Sequence, residues 1–411
     1  MINVSISKGT RSKIVDEDGD TYVSVTNDDI IHFGVNGAEK AKISTKGLYS
    51  DQPFLVGNTD FVKTAGAISN KYVAPVSGGY NIVAYFPHTY ILILDDNNNV
   101  KDELLITALN DVVTVNLTAG DKLIGNKPFY LVTSTEARPP INMKLLGTKF
   151  ATYLNRYDLN IYIYSPFFGG KVRLSDSAGT VYGEWDVEQG RMFKIPSVPD
   201  TTDRVYLLES SVPIAVFKQA SGNSDTISWL PCYPKFITVR GGTLHVVAIH
   251  DNTEIKYYTS DGVQDTIVLN RFDHVTLGRS SQYGGPTYCF VADKPFFAYN
   301  EADGDGVDQT PAIPTHLLAN YYVLPRDSEY IAFGSKYMFH VDLQLPDGSW
   351  YQFEASGSDT TKAWYCKIHA DDLMLTKIPK GTIVVTSTPT WAMFEDYISN
   401  NETIWFGVKI L

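Results

Sequence analysis

The residues best suited to chemistry form one acidic loop, EADGDGVD at positions 301–308. Ca²⁺ prefers about six to eight oxygen ligands, and carboxylates separated by glycines can wrap around such a cation. Asp303, Asp305 and Asp308 are therefore the candidate calcium ligands. Ca²⁺ is the single cofactor that the sequence suggests. The segment DEDGD at 16–20 is a weaker copy of the same pattern.

The acidic loop resembles the DxDGDGxxD phrase of calcium-binding repeats. It departs from an EF-hand-type loop at Ala312, the position where such a loop places its bidentate Glu. The favoured interpretation is a solvated turn, because Asp and Gly favour turns for reasons of their own backbone chemistry. The sequence therefore predicts no cofactor, with Ca²⁺ at this loop as the alternative.

The common catalytic and metal-binding motifs are missing from the sequence. The eight histidines form no HExxH, HxH or Cys/His spacing, and there is no GxSxG elbow, P-loop or GxGxxG after a strand. A carboxylate pair for glycoside hydrolysis cannot be recognised from sequence, because the distance between the two groups depends on the fold. We therefore expect a protein that is not an enzyme, with a glycan hydrolase as an alternative.

Tryptophan side chains could stack on sugar rings. The candidates are Trp229, Trp350 and Trp364. Aromatic residues in β-repeats more often form core and cross-strand pairs, so core packing is the favoured interpretation at each position.

Composition limits the classes of partner. The net charge of −12, without a basic stripe, argues against nucleic acid, whose phosphates need clustered Lys and Arg. No apolar run is long enough to span a membrane, so no insertion is expected. The N-terminal MINVSISKGTRSK lacks the apolar core of a secretory signal, so assembly in a cytoplasm is expected. Cys232, Cys289 and Cys366 are odd in number and widely spaced, which predicts free thiols.

One alternating segment recurs four times and indicates tandem β-units. Each copy has a strand pattern, a short polar break, a second strand pattern and a final Asp. The copies are Tyr80–Asp95, Leu159–Asp176, Leu244–Asp261 and Tyr330–Asp347. Their starts lie 79, 85 and 86 residues apart. We therefore expect one β-rich unit of about 80 to 90 residues repeated in tandem, with a β-hairpin in each copy.

Prolines provide a second marker in phase with the first. They precede the apolar strand patterns FYLV, IAVF, FFAY and TWAMF, and they are Pro128, Pro213, Pro295 and Pro389. Proline has no N–H for a ladder, so it is expected at the first residue of a strand or on an edge. We therefore expect these prolines to mark a boundary in each unit.

The N-terminal region predicts a small hairpin. Alternating apolar residues precede an Asn-Gly pair, which suits a type I′ turn with positive φ at both positions, and a second strand follows at 38–43. Such a hairpin cannot bury its apolar face alone, so we expect it to take part in oligomerisation and attachment. The candidate residues are Ile30, Phe33, Val35, Asn36, Gly37 and Ile43.

This phrase, D-I-x-x-F-x-V-N-G-x-E-K-x-K-I-S-x-x-G at residues 29–47, resembles a segment common in bacteriophage fibre proteins. There it lies in shaft or collar regions of homotrimers. In this chain Ile31-His32 make the register one residue longer than the usual phrase. The resemblance implies a homotrimer in which three chains supply the missing apolar partners.

The repeats resemble a second pattern, the β-repeats of the IgGFc-binding-type N-terminal region. The segments that carry it are SDTISWLP at 224–231, HVVAIHDNTEIKYYTSDG at 245–262 and ADKPFFAY at 292–299. This resemblance implies adhesion at a surface.

The patterns together predict an all-β fold, with a short N-terminal oligomerisation hairpin followed by tandem β-sandwich-like repeats. A propeller-like closure of the repeats is the alternative topology. The expected segments are 1–65, 66–146, 147–232, 233–317 and 318–411.

The resemblances imply a structural virion protein of a bacteriophage. We expect a trimeric tail or head fibre or appendage that attaches to other virion proteins through its N-terminus. Its repeats would present a surface for a host-cell glycan or receptor. The alternatives are an internal tail adaptor or collar protein, and a tailspike-like glycan hydrolase.

Overall fold

A computed structural model describes most of the chain after residue 68 and short strands before it. The described residues are 12–15, 22–25, 31–35, 38–44, 47–50, 55–56, 60–61, 68–134, 141–142, 145–153, 159–196, 204–220, 226–279, 285–301, 309–398 and 402–409. Within them the regular elements are β-strands and two short 3₁₀-helices, η1 (Thr315–Leu317) and η2 (Ala370–Leu373), which confirms the all-β prediction. Neither helix in this part of the chain has the length and apolarity needed to cross a membrane.

The chain divides into two compact units, Met1–Thr64 with Lys409–Leu411 and Ala65–Val408. The first unit contains a five-stranded antiparallel sheet in sequential order. Its strands are β1 (Ser12–Val15), β2 (Tyr22–Val25), β3 (Ile31–Val35), β4 (Ala38–Ser44) and β5 (Gly47–Ser50). A two-stranded sheet follows, β6 (Leu55–Val56) and β7 (Asp60–Phe61).

The predicted N-terminal hairpin corresponds to β3 and β4, which pair antiparallel. Phe33 and Val35 lie on β3, and Ile43 on β4 pairs with Ile31. The register shifts between Phe33 and Gly34, close to the extra residue of the fibre-like phrase. The other candidate residues, Ile30, Asn36 and Gly37, lie outside the described residues. The hairpin pairs on either side with β2 and β5 of its own chain.

The second unit contains four larger antiparallel strand networks, one for each repeat, and in each network two sheets share one long strand. Repeat 1 consists of β8 (Ser69–Val73), β9 (Gly78–Ala84), β10 (Thr89–Leu94), β11 (Val100–Ile106), β12 (Asp111–Leu117), β13 (Lys122–Thr133) and β14 (Ile141–Asn142). Repeat 2 consists of β15 (Gly147–Thr152), β16 (Leu159–Tyr164), β17 (Gly170–Asp176), β18 (Val181–Val187), β19 (Met192–Lys194), β20 (Tyr206–Ala220) and β21 (Thr226–Trp229).

Repeats 3 and 4 have eight strands each. Repeat 3 consists of β22 (Tyr233–Val239), β23 (Thr243–Ala248), β24 (Thr253–Thr259), β25 (Gln264–Leu269), β26 (His274–Arg279), β27 (Thr287–Glu301), β28 (Gln309–Pro311) and β29 (Ile313–Pro314). Repeat 4 consists of β30 (Ala319–Val323), β31 (Ser328–Ser335), β32 (His340–Gln344), β33 (Trp350–Glu354), β34 (Ser356–Ser358), β35 (Ala363–His369), β36 (Ile383–Asp396) and β37 (Glu402–Ile404).

All four repeats share one pairing scheme around a long strand, which is β13, β20, β27 or β36. The first strand of each repeat pairs with the long strand. The second strand pairs with the long strand and with the fifth strand. The third strand pairs with the long strand and with the fourth. In repeat 4, β35 takes the fifth place because β34 is an additional strand.

The prediction that each repeated segment forms a β-hairpin is wrong. In repeat 1 the two strands of the segment are β9 and β10, and each pairs with a different half of β13 instead of with the other. Repeats 2, 3 and 4 follow the same scheme. Alternation in a sequence shows that a strand has one buried face, but it does not show which strand lies beside it. The polar break is the point where the chain crosses from one sheet to the other.

The four prolines lie inside the long strands, so the prediction that they begin a strand and mark a boundary is also wrong. In β13, residues 122–125 pair with β10 and residues 130–133 pair with β9, and Pro128 lies between these two ladders. Long strands that pass from one sheet to another bend at such corners. Proline suits the corner because no ladder partner needs its missing N–H.

Each repeat is a sandwich of the two sheets that share the long strand. In repeat 1 the inner face contains Tyr80 and Ile82 of β9, Ile91 of β10 and Leu131 of β13, all 0% exposed. Fully burying an aliphatic side chain of this kind contributes about 1.5–3 kcal/mol. The core of each sandwich therefore stabilises its own repeat.

Neighbouring repeats are joined in sequence by polar contacts. Between repeats 1 and 2, Arg191 Nη1 lies 3.3 Å from Asp96 Oδ2. Between repeats 2 and 3, Arg271 Nη2 lies 3.7 Å from Glu209 Oε2. Between repeats 3 and 4, the Thr287 hydroxyl donates to the Trp364 carbonyl at 2.8 Å.

Repeat 4 also contacts repeat 1, so the four repeats close into a ring. The Tyr85 hydroxyl donates to the Phe406 carbonyl at 3.1 Å, and the Tyr130 hydroxyl donates to the Ile404 carbonyl at 2.9 Å. The Asn81 amide donates to the Pro325 carbonyl at 2.9 Å. The described residues of the second unit therefore form a closed ring of four sandwiches, and these repeats do not form an extended rod.

Candidate functional site

A cleft of about 400 Å³ opens where repeat 1 meets repeat 2. We call it the first junction cleft. It is formed by β8 and β13 of repeat 1 together with Tyr164, Pro166 and Phe167 of repeat 2. Small-molecule sites typically have volumes of about 300–1,000 Å³ and often lie at junctions between domains. The first junction cleft is therefore the candidate binding site.

The first strand of repeat 1 places Lys71 at this cleft. Tyr72 is 2% exposed, and its hydroxyl donates to the Phe129 carbonyl at 2.7 Å in the core of the repeat. Because successive residues of a strand face opposite sides, anchoring Tyr72 inward turns the neighbouring Lys71 outward. Lys71 is exposed and lines the cleft, and its partner on the long strand is the apolar Ile124.

A second ammonium group lies deeper in the same cleft. Lys122 begins the long strand and is only 4% exposed. Its Nζ donates to the Asp96 carbonyl at 3.0 Å and to Asn98 Oδ1 at 2.8 Å. Burial lowers the pKa of this ammonium group, Arg191 lowers it further, and Asp96 opposes both. Lys122 therefore combines a positive charge with a largely desolvated position.

Repeat 2 supplies aromatic rings to the opposite wall. Tyr164 at the end of β16 is half-buried, and burial raises the pKa of its hydroxyl. In the loop that follows, the Ser165 hydroxyl donates to the Phe168 carbonyl at 2.5 Å, which fixes a tight turn. This turn leaves Phe167 54% exposed at the cleft. An exposed apolar ring therefore lines the same cleft as the two ammonium groups.

The first junction cleft is a locally basic site in an acidic chain. Among its described lining residues there is no carboxylate. The nearest acidic side chains lie outside the lining and have other partners: Asp95 accepts from the Asn99 backbone and amide at 2.8 and 2.9 Å, and Asp96 pairs with Arg191. Both carboxylates also raise the pKa of Lys122 and so offset part of its charge. The arrangement can therefore bind an anionic group beside a flat apolar ring.

A second, smaller cleft of about 220 Å³ occupies the equivalent place between repeats 2 and 3. We call it the second junction cleft. It is formed by Gly147 and Lys149 of β15, Pro231 before β22, and Ile249 and His250 of the repeat 3 loop. Lys149 stands where Lys71 stands in repeat 1, and both precede a buried aromatic residue.

The Lys–aromatic pair is a marker that sequence reasoning missed. Lys71-Tyr72, Lys149-Phe150 and Lys235-Phe236 lie 78 and 86 residues apart, in phase with the repeats. In each pair the aromatic residue is buried in the sandwich, at no more than 2% exposed. The spacing of these dipeptides could have identified the first strand of three repeats.

A histidine pair lies beside the second junction. His245 Nδ1 and His274 Nε2 are 2.7 Å apart, and the ring of Tyr153 from repeat 2 stacks on His274 with centroids 3.5 Å apart. Burial, together with the neighbouring His245, lowers the pKa of His274 from 6.5 to about 3. This contact between repeats therefore favours the neutral imidazole.

The sequence-predicted site residues do not meet in the described part of the chain. Asp303, Asp305 and Asp308 lie outside the described residues, as does the loop at 16–20. In the described ranges no group of three or more His, Cys, Asp or Glu side chains could hold a metal ion. The calcium site stays a prediction.

The three tryptophan candidates differ in exposure. Trp229 is 1% exposed and Trp364 is 6% exposed, so neither can stack on a sugar, and the core interpretation is correct for both. Trp350 is 60% exposed on β33. Cys232, Cys289 and Cys366 are free thiols, as the sequence predicts.

Comparisons with known proteins do not assign a family. No protein-family model matches the chain, and no curated protein matches it. Among solved structures, one named "Biofilm associated protein - BSP domain" matches at 9% sequence identity over 98% of this chain and 95% of that chain, with a TM-score of 0.16. A similarity of that size carries no argument about fold or function.

Proposed function

We propose that this chain is a structural virion protein of a bacteriophage, a tail or head fibre or appendage that binds the host surface without catalysis. The N-terminal unit attaches the protein to other virion proteins and makes it a homotrimer. The ring of repeats is the part that meets the host cell. Its ligand is a glycan or receptor on that cell.

The observation that carries this proposal is the repeated sandwich with its clefts between neighbours. One pairing scheme recurs four times, and two of the junctions present a cleft at the same place. The fibre-like phrase at 29–47 precedes this ring in the chain. A repeated scaffold with clefts at its junctions favours binding at a surface over chemistry in a single deep pocket.

Oligomerisation would multiply weak contacts into useful adhesion. When several sites sit on one particle, each further contact becomes intramolecular, and the overall affinity can exceed the single-site affinity by roughly 10²–10⁴. A shallow cleft with modest affinity is therefore sufficient for host attachment.

Two measurements test the proposal. Light scattering on the purified chain should give three times 45.7 kDa, and antibody raised against residues 65–408 should label intact phage particles at a tail or head appendage. A stable monomer would contradict the trimer. Particles that lack the chain altogether would contradict the virion assignment.

An internal tail adaptor is the second candidate, and one observation favours it. The outer face of repeat 1 exposes Tyr90 and Leu105, which are direct cross-strand neighbours at 36% and 57% exposure, with Val100 and Leu109 at 59% and 52%. Exposed apolar groups of this kind suit contact with another virion protein. Antibody labelling that appears only after particles are disrupted would favour this candidate.

A further inference from the structure

We propose that the first junction cleft binds a saccharide that carries a carboxylate, as a uronic acid does. This inference rests on the proposed function, because it names the ligand class for the surface that meets the host. The charge, the exposed rings and the hydrogen-bonding groups of this one cleft support it.

The positive charge of the first junction cleft favours an anionic ligand. Lys71 and Lys122 both line the cleft, and its described lining contains no carboxylate. Asp96, which pairs with Arg191, and Asp95 lie outside the lining and offset part of the charge of Lys122. The whole chain has a net charge of −12, so a basic cleft runs against the composition of the protein. Hydrogen bonds between an ammonium group and a carboxylate are roughly twice as strong as neutral ones.

Geometry places the anion near Lys122. This ammonium group carries three N–H donors, and two of them point to the Asp96 carbonyl and to Asn98 Oδ1. Because Lys122 is 4% exposed, an incoming carboxylate would meet it in a largely water-excluded position. Lys71 at the rim carries a second positive charge for the same group.

The rest of the lining suits a sugar ring better than a simple anion. Phe167 presents an exposed flat ring, against which the apolar face of a pyranose can pack, and Tyr164 is a second aromatic residue in the lining. Asn70 and Asn98 provide amide donors and acceptors for hydroxyl groups. A carboxylated pyranose matches all three features at once.

Calorimetry with a matched ligand pair tests the charge argument. The probe is a disaccharide of glucuronic acid and N-acetylglucosamine, and the control is its methyl ester, which has nearly the same shape without the charge. We expect the acid to bind one site per chain and the ester to bind roughly tenfold more weakly, because bonds to charged groups are the stronger ones. The acid should also lose affinity as salt is added.

Matched variants test the location. Phe167→Ala should weaken acid binding roughly tenfold, whereas Phe168→Ala should leave it unchanged, since Phe168 is 60% exposed but does not line the cleft. Lys71→Gln should reduce the preference for the acid, whereas Lys235→Gln at the equivalent strand position in repeat 3 should not. Circular dichroism of each variant checks that the fold is retained.

Three outcomes would overturn the inference: equal binding of acid and ester, an equal loss from the two phenylalanine variants, or no binding of the acid at about 10 mM. The proposed function fails by a different result. A chain that binds the acid selectively but is absent from particles would contradict the virion assignment and support the cleft. A chain that labels particles but shows no selectivity would overturn this inference alone.

Discussion

The two junction clefts have the same construction but different contents. Both place a lysine on the first strand of one repeat opposite a loop of the next repeat. In the first cleft, Lys71 pairs across the ladder with Ile124, whereas in the second Lys149 pairs with Glu209, whose carboxylate lies 3.6 Å from its Nζ. The loop of the next repeat contributes Phe167 to the lining of the first cleft and His250 to the lining of the second.

This difference separates what the repeat determines from what single residues determine. The shared pairing scheme places a cleft at each of these junctions. The ladder partner of the lysine, Ile124 in the first cleft and Glu209 in the second, decides whether the cleft keeps a positive charge. The packing at the boundary with the next repeat decides how open the cleft is. The first cleft is about 400 Å³ and the second about 220 Å³, and Pro231 packs closely against Gly147 at the second. A repeated scaffold can therefore carry a ligand site at one junction and a packed contact at the next.

The largest expected effect comes from removing the apolar contact beneath the first junction. Phe217 is 0% exposed and packs with Val73 of repeat 1 and with Tyr162, at a ring distance of 5.7 Å. Phe217→Ala should lower the free energy of unfolding by about 3–5 kcal/mol, because it leaves a cavity between repeats. Urea denaturation measures this change. The exposed Phe168→Ala serves as the control, and a loss below about 1 kcal/mol for Phe217→Ala would contradict the packed interface.

A smaller effect distinguishes the packing of the two junctions. A Cβ added to Gly147 would collide with Pro231, whereas a Cβ added to Gly169 in the loop at the first junction would lie 3.4 Å from the nearest atom, the Val187 carbonyl oxygen. Gly147→Ala should therefore destabilise the chain by about 1–3 kcal/mol through overpacking. Gly169→Ala should change it by less than about 0.5 kcal/mol. Equal melting temperatures for the two variants would show that the second junction is not close-packed.

Much of the fold could be predicted from the sequence, because alternation and repetition are local signals. The period of the four segments and the frequency of β-branched and aromatic residues correctly indicated all-β repeats. Strand partners could not be predicted in this way. Tyr80 and Ile91 each lie in a strand whose alternating sequence predicts one buried face. Nothing in the sequence of either strand predicts that the two pair with different halves of β13.

The candidate site was harder to predict because it is made by two repeats at once. Lys71 and Phe167 are 96 residues apart in the chain, and each looks like an ordinary surface residue in its own strand or loop. Their proximity depends on the packing of repeat 1 against repeat 2, where Val73 contacts Phe217 and Arg191 pairs with Asp96. The residues of the acidic loop at 301–308 are adjacent in sequence, which makes a pattern of this kind visible, whereas a site made by two repeats has no such local pattern.

Acid should weaken the second junction through His274. The pKa of His274 is lowered from 6.5 to about 3, by burial first and by His245 second. Between these values the unfolded chain takes up a proton that the folded chain does not, so the free energy of unfolding falls as the pH drops from about 6.5 to about 3. Allowing for its partial exposure, the loss should be about 1–2 kcal/mol.

Urea denaturation at several pH values measures this dependence. His274→Phe keeps a ring for Tyr153 to stack on and removes the titrating group, so it should flatten the slope between pH 6 and pH 4. An unchanged slope in His274→Phe would mean that other groups carry the acid sensitivity, and that the second junction is not its source.

The substitution with the smallest expected effect on stability, Glu209→Gln, tests directly why the two clefts differ. Glu209 lies 3.6 Å from Lys149 and 3.7 Å from Arg271, and all three side chains are 30% to 45% exposed. Such ion pairs contribute about 0–1 kcal/mol, so Glu209→Gln should leave the melting temperature almost unchanged.

The same substitution should nevertheless release the charge of Lys149 and raise the number of acid-disaccharide sites per chain from one to two in calorimetry. Glu184→Gln removes the same charge from the exposed pair with Lys171, at 3.0 Å, and should add no site. If Glu209→Gln also adds none, cleft volume and the Phe167 ring, rather than the opposing carboxylate, separate the first junction from the second.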